Sequence, residues 1–455
     1  MPKAFFMNTT MSTPWSHFQL YPRTVQPISR QFLTEAHERK HEYEDEERQL
    51  HEQRNRIQVY ESVLPLGKNW EYYKKAVNPY EWVYTQKKYL TFPDSVSSLR
   101  PLSRSYFKMV EILELSSFFS HLSPQTPLRT AHVCEGPGGF IEAVYDESQK
   151  QGRRCHQTIA MTLRSRQSHV PSWRKASQFL KRNRSVQVIY GEDGTGDILK
   201  PENQQYFIDH VVYETSHERV DLFTADGGFD VSDHYEKQET LLFPLLMAST
   251  KIGLEVLKKG GVFVLKVFDC YHRATMDLLY FLSCHFEHWT LYKPGMSRPC
   301  NPEHYFVGRG FHGCTEEAMD VMRLWCLMLE NDEPVEALFR EGYAYDGSFS
   351  AWIQEHRRTS YEAQMAYLER VFRMIEREMA GEELRREELH ENECHSIAWC
   401  QRFDIPTIIP TSFQPPSPSQ RNVTGVSQSG PPGFFPLRWM PDAGKGVLPP
   451  SDPAS

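Results

Sequence analysis

The stretch Arg129-Thr-Ala-His-Val-Cys-Glu-Gly-Pro-Gly-Gly-Phe140 joins a short apolar run to a glycine turn, and a helical pattern follows over Gly139–Tyr145. A glycine turn between a strand and a helix lets a ligand approach the backbone closely, and the helix N-terminus favours anionic groups. Other apolar, β-branched runs alternate with helical stretches along the chain: Thr158–Leu163, Val186–Tyr190, Val220–Ala225 and Gly261–Phe268. The amphipathic segment Glu239–Leu257 ends at Lys258-Lys-Gly-Gly261, which is typical of a helix end. This alternation predicts an α/β fold with a doubly wound sheet.

The composition is that of a soluble globular protein. The chain has 455 residues, with 51 Lys and Arg against 59 Asp and Glu, and a net charge of −8. No apolar run approaches the roughly 18 residues that a membrane helix needs, and the first residues lack a secretory h-region. The nine cysteines are scattered without C-x-x-C spacing, which predicts reduced intracellular thiols rather than a zinc ribbon. The acidic balance argues against nucleic-acid affinity of the whole surface but allows a local basic groove.

The outer segments differ from the central one. Residues 28–60 are dense in Glu, Arg, His and Gln, a pattern that predicts a solvated helical arm. Residues 315–400 read as helical, most strongly over Tyr361–Glu388, and about 408–455 are rich in Pro, Ser and Gly and predicted to be disordered. We therefore expect a helical N-terminal extension (1–110), an α/β core (111–312), a helical C-terminal cap (313–407) and a disordered tail (408–455).

The glycine turn is unlike the common nucleotide loops. Its G-x-G-G spacing departs from G-x-G-x-x-G, the next strand leads into basic rather than acidic residues, and no G-K-[ST] follows. Glu135 in the loop suits a ligand that carries an ammonium and a sulfonium, as S-adenosylmethionine does. Asp197, after the third predicted strand, could accept a hydrogen bond from an adenine amino group. A turn or helix-cap role for Asp197 remains the alternative.

Two predicted strands carry charged residues that a core would not tolerate unpaired. Asp226 stands at the carboxyl end of the run Val220–Ala225, the edge where ligands bind in open α/β sheets. Lys266 stands inside the apolar run Gly261–Phe268, where a lysine needs a carboxylate partner or a shifted pKa.

Taken together, the pattern resembles the FtsJ/RrmJ superfamily of S-adenosylmethionine-dependent ribose 2′-O-methyltransferases, and within it the mRNA cap methyltransferases of eukaryotes and viruses. The blocks that carry the resemblance span about 75–310 in the family's order: Asn78–Glu81, Ser103–Lys108, Cys134–Phe140, Gly194–Ile198, Thr224–Phe229, Phe263–Asp269 and Lys293–Glu303. They mix features of the two cap subfamilies, which modify the first or the second transcribed nucleotide. The compact single-module organisation is similar to members encoded by large DNA viruses.

The resemblance implies a Rossmann-like, mostly parallel seven-stranded sheet and a Lys-Asp-Lys-Glu tetrad. The tetrad falls on Lys108, Asp226, Lys266 and Glu303, with Lys266 as proton acceptor or steering group. Burial and the neighbouring Lys108 are expected to lower the pKa of Lys266 and leave a neutral amine. S-adenosylmethionine would be the cofactor and no metal is implied. Its binding residues would be Glu135, Gly136, Pro137, Gly138, Gly139, Phe140, Asp197 and Asp226.

The resemblance also suggests residues that contact RNA. Asn301 matches a residue that contacts the acceptor nucleotide, and Lys74 and Arg104 match basic positions that hold cap phosphates; ordinary surface cations are the alternative for these two. Tyr72, Tyr73 and Trp82 are candidates to stack a cap base, although core packing is favoured for Trp82. A basic cluster could track the RNA backbone or simply form a solvated helix face. Its members are Arg164, Arg166, Arg174, Lys175, Lys181, Arg182 and Arg184.

The implied activity is methyl transfer to the ribose 2′-OH at the 5′ end of capped mRNA, from cap 0 to cap 1 or from cap 1 to cap 2. Capped mRNA would be the substrate of an intracellular monomer, in the nucleus or in a virus-infected cytoplasm, with a capping enzyme or RNA polymerase left open as a partner. Three alternatives remain: a ribosomal RNA 2′-O-methyltransferase, a catalytically silent RNA- or partner-binding module, and a nicotinamide-binding oxidoreductase.

Overall fold

The computed structural model describes residues 14–24, 44–61, 64, 68–85, 92, 94–123, 126–167, 170–228, 237–329, 335–339, 343–382 and 386–408. All of them belong to one compact unit, residues 1–410. Residues 28–43 of the charged segment and residues 409–455 of the predicted disordered tail lie outside the described residues. No helix in the described ranges is long and apolar enough to cross a membrane.

A mostly parallel sheet forms the centre of the fold. Its strands are β1 (Tyr21–Pro22), β2 (Leu128–Val133), β3 (Cys155–Met161), β4 (Val186–Ile189), β5 (Val220–Ala225), β6 (Leu257–Phe268), β7 (Phe286–Tyr292) and β8 (Glu303–Phe311). The spatial order is β1-β7-β8-β6-β5-β2-β3-β4. Strands β2 to β6 pair in parallel, whereas β8 runs antiparallel to both β6 and β7.

The predicted doubly wound, seven-stranded sheet is confirmed by strands β2 to β8. The two-residue strand β1 adds an eighth, antiparallel member at one edge. Chain order reverses between β2 and β5, which are neighbours in the sheet although two strands separate them along the chain. Ligands bind in such α/β sheets where the order reverses, at the carboxyl ends of the strands.

Helices cover both faces of the sheet. They are α1 (Glu44–Asn55), α2 (Ile57–Glu61), α3 (Trp70–Ala76), α4 (Ser105–Leu115), α5 (Phe118–His121), α6 (Gly139–Lys150), α7 (Ser177–Arg182), α8 (Pro201–Glu214), α9 (Gln238–Val256), α10 (Arg273–Ser283), α11 (Glu316–Leu329), α12 (Gly347–Met379) and α13 (Arg386–Arg402). Short 3₁₀ turns occupy Pro14–His17, Glu81–Val83 and Trp173–Ala176.

The structure moves the predicted boundary between α9 and β6. The Lys258-Lys-Gly-Gly261 stretch was expected to mark the end of a helix, and α9 does end just before it at Val256, but β6 already begins at Leu257. Gly260 has a φ of +80°, and the pairing of β5 with β6 shifts register between Val220 and Leu222. The glycines therefore form an irregularity inside the strand, a common role for glycine in strands.

Two buried apolar clusters cover opposite faces of the sheet. The first packs α8, α9, α10 and α11 against it, around Phe223, Phe263 and Trp325. The second joins α3, α4 and α6 with the C-terminal helices α12 and α13, around Phe107, Tyr305 and Trp399. The N-terminal and C-terminal helical segments thus share one core on the side of the sheet that carries α4.

The prediction that the charged N-terminal segment is a solvated arm is wrong for its described part. Its helical character is observed in α1, but Leu50 is fully buried within the second cluster. Polar contacts also fasten α1 to α12: Gln49 Oε1 accepts from Tyr361 (2.7 Å), and Arg54 Nη2 donates to Gln364 Oε1 (2.6 Å). A single buried leucine in a charged sequence gives only a weak apolar pattern, and the partner helix lies about 300 residues later.

Candidate active site

The glycine turn lies between β2 and α6, at the point where the strand order reverses. Gly138 has a φ of +105°, a conformation that side chains with a Cβ rarely adopt, so glycine is needed to bring the chain into α6. The backbone of Gly139 packs tightly against α4, because an added Cβ would lie 3.0 Å from Tyr106 N. The turn and the helix that carries Lys108 are therefore fixed to each other.

Glu135 contributes a buried acceptor in this turn. Its side chain is 2 % exposed, and Oε1 accepts a hydrogen bond of 2.7 Å from the Phe140 amide. Its other oxygen, Oε2, is buried and has no hydrogen-bond partner among the described residues. Burial and the nearby Asp226 carboxylate raise the pKa of Glu135 well above its ordinary value. A buried oxygen of this kind lacks a donor that a bound cation would supply.

Asp197 lies in the turn after β4, where it has a local structural role. Its Oδ1 accepts from the Leu199 amide (3.0 Å), and its carbonyl accepts from Asn203 Nδ2 (2.9 Å). The carboxylate also acts electrostatically on Cys134, which precedes Glu135. The turn role left open from the sequence is therefore present, and the side chain is at the same time close to the glycine turn.

The four residues of the suggested tetrad converge, and a tyrosine closes them into a ring. Lys108 Nζ donates to Glu303 Oε1 (2.6 Å), Lys266 Nζ lies 3.7 Å from Glu303 Oε2, and Lys266 Nζ lies 2.9 Å from Asp226 Oδ1. Tyr305 donates its hydroxyl to Asp226 Oδ1 (2.7 Å) and accepts from Lys108 Nζ (3.3 Å). We call these five residues the charge ring. Each of its four charged side chains keeps 11 to 14 % of its surface exposed, so the ring is reachable from solvent.

The local fold explains the convergence. Asp226 directly follows β5, and Lys266 lies opposite Tyr305 in the antiparallel pairing of β6 with β8. Glu303 lies opposite Phe268 in the same pairing, two residues from Tyr305 and therefore on the same sheet face. Helix α4 covers that face and contributes Lys108.

The electrostatics of the ring correct one prediction. Burial lowers the pKa of Lys266, but the carboxylates of Asp226 and Glu303 outweigh this effect and raise the pKa above its ordinary value. Burial likewise opposes ionisation of Glu303, but Lys108 and Lys266 lower its pKa below the ordinary value. The expectation of a neutral Lys266 amine is therefore wrong for the protein without ligands. Two carboxylates near Lys266 outweigh one neighbouring lysine.

Tyr305 was missed in the sequence. It is fully buried, and burial together with Asp226 raises the pKa of its hydroxyl well above the ordinary value, so the hydroxyl keeps its proton as a donor. Its ring centroid lies 5.7 Å from that of Phe140 in the glycine turn. The signal was available in principle, because residues two apart on a strand share a face.

The basic residues that were expected to hold phosphates are bound to protein groups. Arg104 donates to the carbonyls of Tyr84 (2.7 Å), Tyr80 (3.1 Å) and Met296 (3.2 Å). Lys74 is largely buried and pairs with Glu71, so it is not an ordinary surface cation. The donors of Arg104 are thus used to join the Asn78–Glu81 block to the loop before β8.

Glu81 is the centre of this polar network. Its buried carboxylate accepts from Asn78 Nδ2 (2.8 Å) and lies 3.2 Å from Arg298 Nε and 3.5 Å from Arg104 Nη2. Burial opposes its ionisation, but Arg104 and Arg298 lower the pKa of Glu81 below its ordinary value. Three of the sequence blocks that carry the resemblance therefore meet at one carboxylate.

A cleft of about 610 Å³ opens beside this network and beside the glycine turn. Its walls include Pro137 of the turn, Tyr84, and a set of cations: Lys75, Arg104, Arg174, Lys175 and Arg298. Of the basic cluster Arg164–Arg184, all seven cations are exposed, but only Arg174 and Lys175 line this cleft. The cleft is positively charged and contiguous with the segment that precedes Lys108.

The expected stacking residues are in the core instead. Tyr72 and Tyr73 are 2 % and 0 % exposed, so the prediction that they stack a base is wrong; Trp82 is fully buried, as core packing requires. Tyr84, which is half-buried and lines the cleft, is the aromatic side chain available there. Asn301 lies two residues before Glu303, and its side-chain amide forms no hydrogen bond with the described residues.

Comparisons with known proteins agree with this arrangement. The model of the FtsJ-like methyltransferase family matches residues 101–311. A cap-specific mRNA (nucleoside-2′-O-)-methyltransferase 1 of Xenopus laevis is 36% identical over 197 residues, which is 42% of this chain and 22% of that protein. The protein of the same name from Dictyostelium discoideum is 28% identical over 300 residues, which is 62% of this chain and 37% of that protein.

Among solved structures, a ribosomal RNA methyltransferase of Plasmodium falciparum covers 47% of this chain and all of its own, at 16% identity and a TM-score of 0.32. This chain matches well under half the length of the curated relatives described above. The family match begins just before Lys108 and ends with β8, so it includes the glycine turn and every member of the charge ring. Residues 101–311 of this chain thus match the FtsJ-like methyltransferase family and have a Rossmann-type fold.

Proposed function

We propose that this protein transfers a methyl group from S-adenosylmethionine to the ribose 2′-OH of a 5′-terminal transcribed nucleotide of capped mRNA. The observation that carries the proposal is the charge ring, which joins two lysines and two carboxylates at the ligand-binding edge of a methyltransferase sheet. The names of the curated relatives support capped mRNA as the substrate class.

The residues of the glycine turn fit the cofactor. Oε2 of Glu135, which has no hydrogen-bond partner in the described part of the chain, would accept from the ammonium group of S-adenosylmethionine. The turn Gly136–Phe140 would hold the amino-acid part, Asp197 the adenine amino group, and Asp226 would lie near the methyl donor. When bound, the cofactor supplies the electrophilic methyl group.

In this proposal Lys266 works as a cation. Its Nζ would lie against the ribose 2′-oxygen and stabilise the negative charge that develops there as the hydroxyl proton leaves to solvent. Glu303 would orient Lys108 and Lys266, and Asp226 with Tyr305 would fix the opposite side of Lys266. Correct alignment of the 2′-oxygen supplies most of the remaining rate, since the protein forms no covalent bond in this reaction.

The basic cleft supports a path for the 5′ end of the RNA. Lys75, Arg174 and Lys175 would neutralise phosphates of the cap bridge, and Tyr84 would stack a base. Asn301, whose side-chain amide forms no hydrogen bond within the described ranges, would contact the acceptor nucleotide. Arg104 and Lys74 would act indirectly, by holding the cleft wall through Tyr84 and Glu71.

The test is methyl transfer from labelled S-adenosylmethionine to matched capped and uncapped RNAs, followed by nuclease mapping of the methylated ribose. Lys266→Met should abolish transfer while cofactor binding persists. Lys150→Met is the matched control, because Lys150 is a lysine on α6 that pairs with Glu147 away from the ring.

Each outcome has a distinct meaning. Transfer to capped RNA only supports the proposal and identifies the first or the second nucleotide. Equal transfer to uncapped RNA favours a ribosomal or general RNA 2′-O-methyltransferase. Cofactor binding without transfer to any RNA favours a silent binding module.

A further inference from the structure

The loop between β7 and β8 carries Asn301 and Glu303 but has little regular structure of its own. Residues 294–297 are buried, although a loop normally runs over the surface where water satisfies its backbone. Buried backbone amides and carbonyls need partners from elsewhere in the fold. Two ionisable side chains, Glu111 and Lys293, provide some of these partners, and neither forms a hydrogen bond with a side chain of the charge ring.

Glu111 holds the beginning of this loop. It is fully buried on α4, one turn after Lys108, and both of its oxygens accept from the Gly295 amide, at 3.0 and 2.8 Å. Trp399 of α13 donates its indole N–H to the same carboxylate at 2.6 Å. The helix that carries the first catalytic lysine is thus joined to the loop that precedes Glu303.

Lys293 holds the end of the same loop. Its Nζ donates to the carbonyl oxygens of Asn301 (2.6 Å) and Glu303 (3.0 Å), and lies 3.4 Å from Ser297 Oγ. These carbonyls belong to the proposed nucleotide contact and to the proposed tetrad glutamate. One lysine therefore fixes the backbone of both residues.

We propose that Glu111 and Lys293 are positioning residues for methyl transfer, which hold the backbone of residues 294–303 so that Glu303 and Asn301 face the reacting ribose. The inference rests on the proposed function. Glu303 bonds Lys108 at 2.6 Å, and an active-site group has to stay within about 0.5 Å of its productive position. A loop without regular hydrogen bonding does not provide that accuracy by itself.

The hydrogen bonds of the two residues explain why close substitutes would fail. Glutamine at 111 offers a single acceptor oxygen, and its N–H₂ group would face the N–H donors of Gly295 and Trp399, which now bind the carboxyl oxygens. Methionine at 293 keeps the length of the side chain but leaves the carbonyls of Asn301 and Glu303 without their lysine donor. Each change therefore loosens the loop with little change of volume.

The experiment compares Glu111→Gln and Lys293→Met with matched controls. Glu114→Gln changes the next carboxylate on the same helix, which is exposed and pairs with Arg402. Lys150→Met removes a lysine that also donates to a backbone carbonyl, that of Asp404. We expect kcat on capped RNA to fall by about ten- to hundredfold in the two test variants, with cofactor affinity unchanged and the controls near wild type.

A double-mutant cycle separates positioning from general damage. If Lys293 acts through Glu303, then Lys293→Met should add little to the loss caused by Glu303→Gln, whereas independent effects would multiply. The inference would be overturned if the losses caused by Lys293→Met and Glu303→Gln multiply in the double variant. It would also be overturned if the wild-type enzyme is active and both test variants keep a kcat near the wild-type value.

Amide hydrogen exchange supplies a readout that needs no activity. Exchange in residues 294–303 should become faster in Lys293→Met and stay unchanged in Lys150→Met. Unchanged exchange in that segment would refute the inference, even if wild-type protein methylates no RNA and the proposed function fails. If Glu111→Gln does not fold, the comparison of Lys293→Met with Lys150→Met tests the inference by itself.

Discussion

Tyr305→Phe tests whether the charge ring works as a unit. The substitution removes one buried oxygen, which donates to Asp226 at 2.7 Å and accepts from Lys108 at 3.3 Å. The aromatic ring remains, together with its packing against Phe140. Asp226 keeps Lys266 at 2.9 Å but loses the donor on its other side.

The expected magnitude follows from the two contacts. A short hydrogen bond to a carboxylate contributes about 1.5–3 kcal/mol, and the contact to Lys108 at 3.3 Å adds little. If the transition state loses this stabilisation and the ground state does not, the rate constant of methyl transfer drops by about 10- to 150-fold, since each 1.36 kcal/mol corresponds to a factor of ten. Removing Lys266 should be far more damaging, since it abolishes the group that we propose to face the ribose oxygen.

The assay is single-turnover methyl transfer to capped RNA, with cofactor affinity measured by calorimetry. Tyr106→Phe is the matched control, because this buried tyrosine of α4 donates to Asp146 at 3.0 Å, outside the ring. A single-turnover rate constant for Tyr305→Phe within about twofold of wild type would refute the role of Tyr305 in the ring. An equal loss in Tyr106→Phe would show that the effect is a general one of buried tyrosines.

Two further predictions concern the cofactor turn and pH. Gly139→Ala should weaken cofactor binding by about tenfold or more, because its Cβ would lie 3.0 Å from Tyr106 N and press α4 away from the glycine turn. Calorimetry measures this affinity. The control Gly347→Ala should bind the cofactor as wild type does, because its added Cβ would meet no neighbouring atom of the described residues within 4 Å. Burial lowers the pKa of His132 to about 3 and that of His285 to about 4, so below their ordinary value of 6.5 the unfolded chain binds protons that the folded protein excludes. The contribution of these two histidines to the free energy of unfolding should therefore be largest above pH 6.5 and fall toward pH 4, by up to about 1.4 kcal/mol per pH unit for each histidine. Urea titrations measure this slope, and a slope that does not become shallower in His132→Gln would exclude His132 as a source.

The sequence predicted the features that depend on neighbouring residues. Strand–helix alternation gave the sheet, and the Cys134–Phe140 turn gave the ligand-binding edge, because both patterns lie within short windows. The resemblance located four of the five residues of the charge ring. It could not indicate that Arg104 donates its hydrogen bonds to the backbone carbonyls of residues 80, 84 and 296, because those contacts join segments far apart in the chain.

The errors have a common physical cause. Tyr72 and Tyr73 looked available for stacking because aromatic residues near basic ones often bind bases, but the packing of α3 against α12 buries both. The pKa of Lys266 was predicted from burial and the neighbouring Lys108, whereas at the distances in the structure the carboxylates of Asp226 and Glu303 outweigh both effects. Burial and charge balance are sums over the whole neighbourhood, and a sequence gives only some of the members.

The reversed direction of β8 has a consequence for which atoms can meet. Residues that follow β5 and end β6 lie at the carboxyl edge of the sheet because those strands run toward it. Glu303 begins its strand, and it reaches the same edge only because β8 runs the other way. In a wholly parallel sheet, the first residue of a nine-residue strand would lie at the opposite edge, about 26 Å away at roughly 3.3 Å per residue. A single inverted strand thus brings the beginning of one strand and the ends of two others together at the charge ring.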